Sequence, residues 1–275
     1  MEFVQNADDN AYPPGVKPTL EITYADGFLR IDCNEIGFSP KNVESICKIG
    51  SSTKAGADKS KGYVGEKGIG FKSVFKVADC VYIVSRHYSF MFDKAAPLGM
   101  IAPIWCDTLP LPRRHGWTSF FLRLSDSCSP DSLVNEIENL DPRTLLFLRQ
   151  LRTVNVVVQN TRGFQRTKQF NRSEEFSEEG ARLIEVRHDM GDVRYIILRH
   201  TASGLPVEEK RKGMSRSEIL LAFPTDNTWK PKLSPQQAFA FLPIRHFGFQ
   251  VTVLISHALA IANPPYSLSF NLTFF

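Results

Sequence analysis

The sequence lacks the features that define several large protein classes. Its five cysteines are widely spaced and form no Cys-x-x-Cys pair, which disfavours a disulfide framework and a structural zinc site. No His-Glu-x-x-His motif is present, so a zinc hydrolase is not expected. The opening run MEFVQNADDN has neither the basic nor the apolar region of a signal peptide. The most apolar stretch, residues 251–262, is far shorter than a membrane helix of about 20 residues.

These absences predict an intracellular protein without a membrane partner, in either the cytoplasm or the nucleus. The charge is also nearly balanced, because 33 basic and 29 acidic side chains leave a net charge of only +4. No stripe of lysine and arginine dominates any segment, so a nucleic-acid partner is not expected. A hydrophobic content of 43% is that of a folded globular chain and argues against global disorder.

Apolar periodicity and turn residues predict intermixed helices and strands. The predicted helices cover residues 1–10, 39–50, 71–78, 131–140 and 144–151. A β-hairpin is predicted at residues 20–33, and further strands at 81–92, 118–124, 154–158, 194–198, 217–223 and 238–244. Near residue 160 the pattern changes to a polar, charged segment. We therefore predict a first domain over residues 1–160 and a smaller β-rich segment over residues 161–275.

Three polar residues of the first predicted helix share one face. Glu2, Asn6 and Asp9 have i, i+4 and i+7 spacing, which brings their side chains to the same side of a helix. An amide oxygen between two carboxylates could hold Mg²⁺, which prefers oxygen ligands and keeps several waters. Glu2 could orient or deprotonate a water molecule. The alternative is the solvated polar face of an ordinary amphipathic helix.

A glycine-rich run, GEKGIGFKS at residues 65–73, precedes a predicted helix. Its backbone N–H groups and the helix dipole would favour an anion such as phosphate. The P-loop pattern fails because Phe71 stands between the last glycine and the lysine, and the Rossmann pattern fails because Ser73 replaces its third glycine. Lys67 is well placed to meet phosphate oxygens. The run therefore predicts a phosphate-binding loop of neither type.

A third segment of interest is the strand end at residues 30–38, RIDCNEIGF. An acidic side chain at such a strand end could accept a hydrogen bond from an amino-bearing ring such as adenine. The alternative is an ordinary turn after an ordinary strand.

The order and spacing of these segments resemble the GHKL ATPase superfamily, which includes histidine kinases and chaperones. The matching segments are Glu2-x-x-x-Asn6-x-x-Asp9, Ile36-Gly37-Phe38, Gly50-Ser51-Ser52-Thr53-Lys54 and Gly65-x-x-Gly68-x-Gly70-Phe71. The runs QNADDN at 5–10, GEKGIGFKS at 65–73 and FAFLPI at 239–244 are similar to the sacsin and NO VEIN-type branch. The resemblance covers most of the chain and is most specific over residues 1–125.

This resemblance implies a Bergerat-type α/β fold, a two-layer sandwich with a mixed, mostly antiparallel sheet and helices on one face, followed by the β-rich segment. It implies ATP and Mg²⁺ as ligands, with Asn6 as the magnesium ligand and Glu2 as the general base. Residues 51–62 would form a lid over the nucleotide. The implied nucleotide-binding set is Asn6, Asp9, Asp32, Asn34, Gly37, Thr53, Lys54, Gly65, Lys67, Gly68, Ile69, Gly70, Phe71 and Thr118.

The chain departs from the superfamily pattern in two respects. The place of the adenine-binding aspartate, four residues before Gly37, is occupied by Cys33, a poor acceptor. Asp32 or Asn34 could substitute only with a one-residue shift, and such a shift reverses the face of a strand. The strand and helix that family members place before the first helix are absent, so we expect Glu2 to fray. We also expect the chain to be part of a longer one.

The sequence therefore predicts the ATP-binding domain of a sacsin- or NO VEIN-like, chaperone-related protein. Slow, magnesium-dependent hydrolysis by attack of water on the γ-phosphate is expected in the intact parent. ATP or ADP is the expected ligand, and client or partner proteins are further expected partners. Two alternatives stay open: a catalytically inactive scaffold that serves protein interactions, and a non-functional fragment.

Overall fold

The first part of the fold contains the motif-bearing helix and a β-hairpin. The computed structural model describes residues 2–25, 27–47, 70–159, 163–176, 182–203, 216–230, 232, 237–240, 242–246 and 252–255. Helix α1 (Glu2–Asp9) is followed by strands β1 (Thr19–Ala25) and β2 (Phe28–Cys33), which pair antiparallel as the predicted hairpin. Helix α2 (Pro40–Cys47) begins after Ser39, whose Oγ accepts a hydrogen bond from the Asn42 amide at 3.3 Å and so caps the helix.

Strands dominate the rest of the described chain. A short 3₁₀ helix (Phe71–Lys76) leads into β3 (Ala78–Ser85), β4 (Tyr88–Asp93), β5 (Ile104–Trp105) and β6 (Thr118–Leu124). Helix α3 (Pro130–Glu138) and a second 3₁₀ helix (Pro142–Phe147) then precede β7 (Thr153–Gln159). The later strands are β8 (Gln165–Phe176), β9 (Arg182–Arg187), β10 (Val193–Ser203), β11 (Arg216–Thr225), β12 (Gln237–Ala240), β13 (Leu242–His246) and β14 (Thr252–Ile255).

Within the described residues, fourteen strands join in one mixed sheet. Their order is β13-β12-β14-β11-β10-β9-β8-β7-β1-β2-β6-β3-β4-β5. Neighbouring strands are antiparallel except for the parallel pairs β1–β7 and β12–β14. Strand β7 lies between β1 and β8, so strands from both sides of residue 160 form one hydrogen-bonded sheet. A division into two domains at that position stays a prediction.

The predicted fold class, a two-layer Bergerat-type sandwich, is wrong. Over the residues that the structure describes, the chain forms a large mixed sheet with few, short helices. The helix predicted over residues 71–78 is a shorter 3₁₀ helix over Phe71–Lys76. The Ser73 and Val77 amides donate to the carbonyls of Gly70 and Val74 at 3.0 and 3.1 Å, and the chain then enters β3.

The core follows the middle of the sheet. Strand β7 is buried on both faces because valines occupy three successive positions, Val156, Val157 and Val158. Six of the eight residues of β3 and four of the seven residues of β6 are also buried. Within the described part of the chain, no helix is both long and apolar enough to cross a membrane.

Candidate functional site

Three of the sequence motifs meet at one aromatic ring, that of Phe120 on β6. The ring of Phe3 from α1 lies 5.1 Å from it, and that of Phe38, after the strand-end turn, lies 6.2 Å away. Phe71, which follows the last glycine of the glycine-rich run, lies 6.0 Å away. Edge-on and tilted packing of this kind stabilises aromatic clusters. The apolar residue of each motif thus brings the polar residues beside it into one neighbourhood.

The polar face of α1 presents Glu2 and Asn6 together. The Asn6 Nδ2 atom donates to the Glu2 Oε1 atom at 3.4 Å, as the i, i+4 spacing requires. The Glu2 carboxylate also lies against the backbone of Gly70, and a methyl group at position 70 would overlap it. Gly70 has φ −59°, a conformation open to any residue, so the space taken by Glu2 favours glycine there. The helix and the end of the glycine-rich run are therefore in direct contact.

The other end of α1 is held by two buried aspartates. The Asp9 carboxylate accepts a hydrogen bond from the Arg149 guanidinium. The Asp8 carboxylate accepts the backbone N–H groups of Arg149, Gln150 and Leu151 at 2.8–2.9 Å. The expected role of Asp9 in lining a nucleotide pocket stays a prediction. Asp8 was not anticipated, although acidic residues at a helix C-terminus oppose the helix dipole and indicate a dedicated partner.

The two expected substitutes for the missing aspartate have other partners. Asp32 pairs with Ser119 across the β2–β6 ladder and accepts its hydroxyl at 2.5 Å, while Arg30 donates to its second oxygen at 2.7 Å. The next pair in the ladder is Cys33 with Thr118, so Asp32 faces the opposite side of the sheet from Thr118. Asn34 closes the turn by accepting from the Thr19 amide at 2.8 Å. Their roles in nucleotide binding stay predictions.

A different carboxylate, that of Glu35, lies beside Thr118. The Thr118 hydroxyl donates to Glu35 Oε1 and lies 2.6 Å from the Ser85 hydroxyl. The Gly37 amide donates to Glu35 Oε2 at 2.9 Å. All three side chains of this cluster are buried. Glu35 was missed because its partner is 83 residues away, although it is one of two acidic residues in the run 30–38.

Gly37 shapes the turn beside this carboxylate. Its φ of +86° is a conformation that side chains with a Cβ rarely adopt, and a methyl group there would meet the Arg86 side chain at 2.5 Å. The Arg86 Nε atom donates to the Ile36 carbonyl at 2.5 Å and so lies across the turn. Both features favour glycine at position 37.

Burial raises the pKa values of Glu35 and of two titratable groups near it, Cys33 and Tyr12. Burial raises the pKa of the Glu35 carboxyl, although hydrogen bonds from Thr118 and Gly37 act in the opposite direction. Burial likewise raises the pKa of Cys33 to about 12 and raises that of Tyr12. The Tyr12 hydroxyl donates to the Ala7 carbonyl at 2.6 Å and lies 3.3 Å from the Cys33 sulfur. The cluster thus places a buried carboxyl group among hydroxyl and amide donors.

The remaining predicted site residues lie outside the described residues. These are Thr53, Lys54, Gly65, Lys67, Gly68 and Ile69, together with the predicted lid at 51–62. Within the described ranges, no three histidine, cysteine or acidic side chains are grouped to hold a metal ion. A magnesium ion at Asn6 would therefore take most of its ligands from phosphate oxygens and water, as magnesium sites commonly do.

Two comparisons with known proteins bear on this arrangement. A family model described as "Sacsin domain" matches residues 28–99, which include β2, the turn with Glu35 and Gly37, and strands β3 and β4. The chain is 31% identical over 276 residues to Protein NO VEIN from Arabidopsis thaliana, a match that covers 92% of this chain and 10% of that protein. The chain thus spans about a tenth of the length of that relative. The chain is thus similar to a sacsin-type domain over residues 28–99 and to NO VEIN over most of its own length.

Proposed function

We propose that the chain binds a magnesium–adenine nucleotide between α1, the turn at residues 35–38 and the run that ends at Gly70. The observation that carries the proposal is the contact of the Glu2 carboxylate with the Gly70 backbone. This contact brings a possible water-activating group next to the end of a glycine-rich, anion-favouring segment. The similarity to a sacsin-type domain over residues 28–99 supports the same proposal.

In this proposal Thr118 and Glu35 contact the adenine base. A carboxylate oxygen can accept a hydrogen bond from the exocyclic amino group, and a hydroxyl can donate to or accept from a ring nitrogen. Glu35 is held by hydrogen bonds from Thr118 and Gly37, so its orientation needs little adjustment when a base binds. Cys33, on the same face as Thr118, is a weak acceptor with a pKa raised to about 12.

The residues present on α1 fit a magnesium ion held mainly by the nucleotide. Among the described residues, the one hydrogen bond of the Asn6 side chain is donated by Nδ2 to Glu2, which leaves the amide oxygen for a cation. A bound magnesium ion would neutralise charge on the phosphates. Asn6 also orients Glu2, whose carboxylate would orient the attacking water and accept its proton. The proposed reaction is slow hydrolysis of ATP. Its rate depends on how well the water molecule and the γ-phosphate are positioned.

Thermal unfolding with and without Mg–ADP tests nucleotide binding. At about 100 times its dissociation constant, ADP should stabilise the chain by about 2.7 kcal/mol, which corresponds to a rise in Tm of about 5–10 °C. The Asn6→Ala variant should lose the magnesium-dependent part of this rise. Asn227→Ala is the matched control, since Asn227 is an exposed residue in a turn far from α1 in sequence, and it should retain the full rise.

A second candidate function is a protein-interaction module that does not bind nucleotide. The observation that favours it is the exposed end of the sheet at β5, where the side chains of Ile104 and Trp105 are both exposed. An edge strand with apolar side chains can pair with another chain. A folded wild-type chain whose Tm is unchanged by Mg–ADP would favour this second function and contradict the first.

A further inference from the structure

Three arginines and one glutamate form a second charged group, away from the motifs described above. Arg152 precedes β7, Arg172 and Glu174 lie on β8, and Arg182 begins β9. The i, i+2 spacing on β8 places Arg172 and Glu174 on one face of the sheet. Arg182 pairs with Phe176 in the β8–β9 ladder and therefore shares this face. These four side chains are called the arginine cluster below.

Glu174 is in contact with all three arginines of the cluster. The Arg172 Nη2 atom lies 3.0 Å from Glu174 Oε2, and the Arg152 Nη2 atom lies 3.7 Å from the same oxygen. Arg182 donates to both carboxylate oxygens. One carboxylate thus faces three guanidinium groups, and the cluster has two positive charges in excess.

This excess charge is largely withdrawn from solvent. The side chain of Arg172 is 0% exposed, that of Arg182 is 14% exposed and that of Arg152 is 28% exposed. Asp8, Asp9 and Arg149 are the charged groups next to the cluster along the segment at 149–152. When they are included, one positive charge still remains in excess. An isolated charge in such surroundings is costly unless a counter-charge accompanies it.

Arg172 also retains a donor that no described group satisfies. Its Nη1 atom donates to the Leu148 carbonyl at 2.5 Å and its Nη2 atom to Glu174 at 3.0 Å. Its buried Nε atom has no hydrogen-bond partner among the described residues. Burial, together with the nearby Arg152 and Arg182, lowers the pKa of Arg172 to about 9. A buried guanidinium with an unused N–H group is arranged to meet an additional acceptor.

We propose that the arginine cluster binds a tetrahedral oxyanion of the phosphate or sulfate class. Such an ion supplies the missing negative charge and several acceptor oxygens. Planar guanidinium groups are suited to this class of ligand because two N–H groups can meet two oxygens. Arg152, the most exposed of the three arginines, provides the approach from solvent.

The consequence is a second anion site that is independent of the proposed nucleotide site. The two sites lie on different elements, since the nucleotide site uses the polar face of α1 and the turn after β2, whereas the cluster uses β8, β9 and the start of β7. The segment at residues 148–152 lies between the cluster and α1. Its Leu148 carbonyl accepts from Arg172, and its amides donate to Asp8 of α1.

Titration of the intact chain with inorganic phosphate and sulfate, followed by calorimetry and thermal unfolding, tests the proposal. The wild type should bind one phosphate and show a saturable rise in Tm. Arg152→Gln and Arg182→Gln should each weaken the phosphate affinity by about tenfold or more, because each removes a charge-assisted hydrogen bond. Each Tm shift is measured relative to the variant's own Tm, so loss of stability in a variant does not obscure the result.

Two controls make the result decisive. Arg166 also lies on β8, but its side chain is 69% exposed and lies near Glu138. Arg166→Gln should therefore leave phosphate binding unchanged. Asn6→Ala should also leave it unchanged, which separates the cluster from the nucleotide site. The proposal is overturned if phosphate raises the Tm equally in every variant. Exclusion of the salt from the protein surface would stabilise all variants alike. It is equally overturned if binding depends on Asn6 and not on Arg152, or if the wild type binds no phosphate.

Discussion

Glu35 and Glu174 lie in two different regions of the sheet, and their surroundings shift their pKa values in opposite directions. Glu35, in the turn after β2, accepts hydrogen bonds from a hydroxyl and an amide, and burial raises its pKa. Glu174, on β8, also experiences desolvation that raises its pKa, but Arg182, Arg172 and Arg152 outweigh it and lower the value. At Glu35 two neutral donors and the charge of Arg86 do not offset desolvation, whereas at Glu174 three guanidinium groups do.

The largest expected effect comes from Glu174→Ala. This change leaves three arginines without their shared carboxylate, and removing one partner from a buried ion pair costs about 3–5 kcal/mol. Because the pKa of Glu174 is lowered, its contribution is present at neutral pH and is lost as the pH falls through its folded-state pKa. Urea unfolding should therefore show a difference from the wild type that shrinks towards acidic pH.

Glu175→Ala is the matched control for that experiment. Glu175 is the next residue on β8, is exposed and faces the other side of the sheet. It should change the unfolding free energy by less than about 0.5 kcal/mol. An equal loss of stability in both variants would mean that the arginine cluster does not depend on Glu174.

The next largest effect is expected for Gly37→Ala, which alters the turn that donates to Glu35. The positive φ costs about 1–2 kcal/mol for a residue with a Cβ, and the overlap with the Arg86 side chain adds to that cost. Gly116→Ala separates the two contributions, because Gly116 has φ +76° but a methyl group added there would meet no described atom within 4 Å. Urea unfolding should show a larger loss for Gly37→Ala than for Gly116→Ala, and equal losses would contradict a role for Arg86.

The smallest effect is expected for Glu35→Gln, and its sign depends on pH. Because the pKa of Glu35 is raised, its stabilising contribution is greatest below its usual value of 4.5 and is lost as the pH rises through the folded-state pKa. The glutamine variant should therefore gain stability relative to the wild type as the pH rises above about 4.5, and this gain should be smaller than the loss expected for Gly37→Ala.

Glu136→Gln serves as the control, since Glu136 is exposed on α3 and should show no such pH-dependent gain. If Glu35→Gln instead loses stability as the pH rises, Glu35 is stabilised as a charged group and resembles Glu174. The contrast between the two regions would then disappear.

Local patterns predicted much of the secondary structure but not how the strands assemble. The hairpin at 20–33 and the strand at 118–124 were recovered because alternation and turn residues are local signals. Strands β7 and β8, which pair with each other, lie on either side of the change in composition near residue 160. Hydrophobic periodicity predicts where strands lie but not which strands pair. The two-layer fold was therefore wrong, although most individual strands were predicted.

The candidate site was predicted in part for the same physical reason. The i, i+4 spacing correctly brought Glu2 and Asn6 together, because that contact lies within one helix. The contact of Thr118 with Glu35 depends on the β2–β6 register and on the turn after β2. Neither can be predicted from the sequence alone, which therefore indicated Asp32 and Asn34 instead. The arginine cluster joins three separate segments and had no local pattern at all.

The position of β7 in the sheet has a practical consequence for the solubility of fragments. A fragment ending at residue 160 would lose the antiparallel pairing of β7 with β8, which extends from Thr153–Asn171 to Gln159–Gln165. The uncovered edge would belong to a strand whose valines at positions 154, 156 and 158 are buried in the intact chain. A long apolar edge is a template for pairing between molecules and leads to aggregation. Expression of the motif-bearing half therefore needs to retain β8, even when only nucleotide binding is to be assayed.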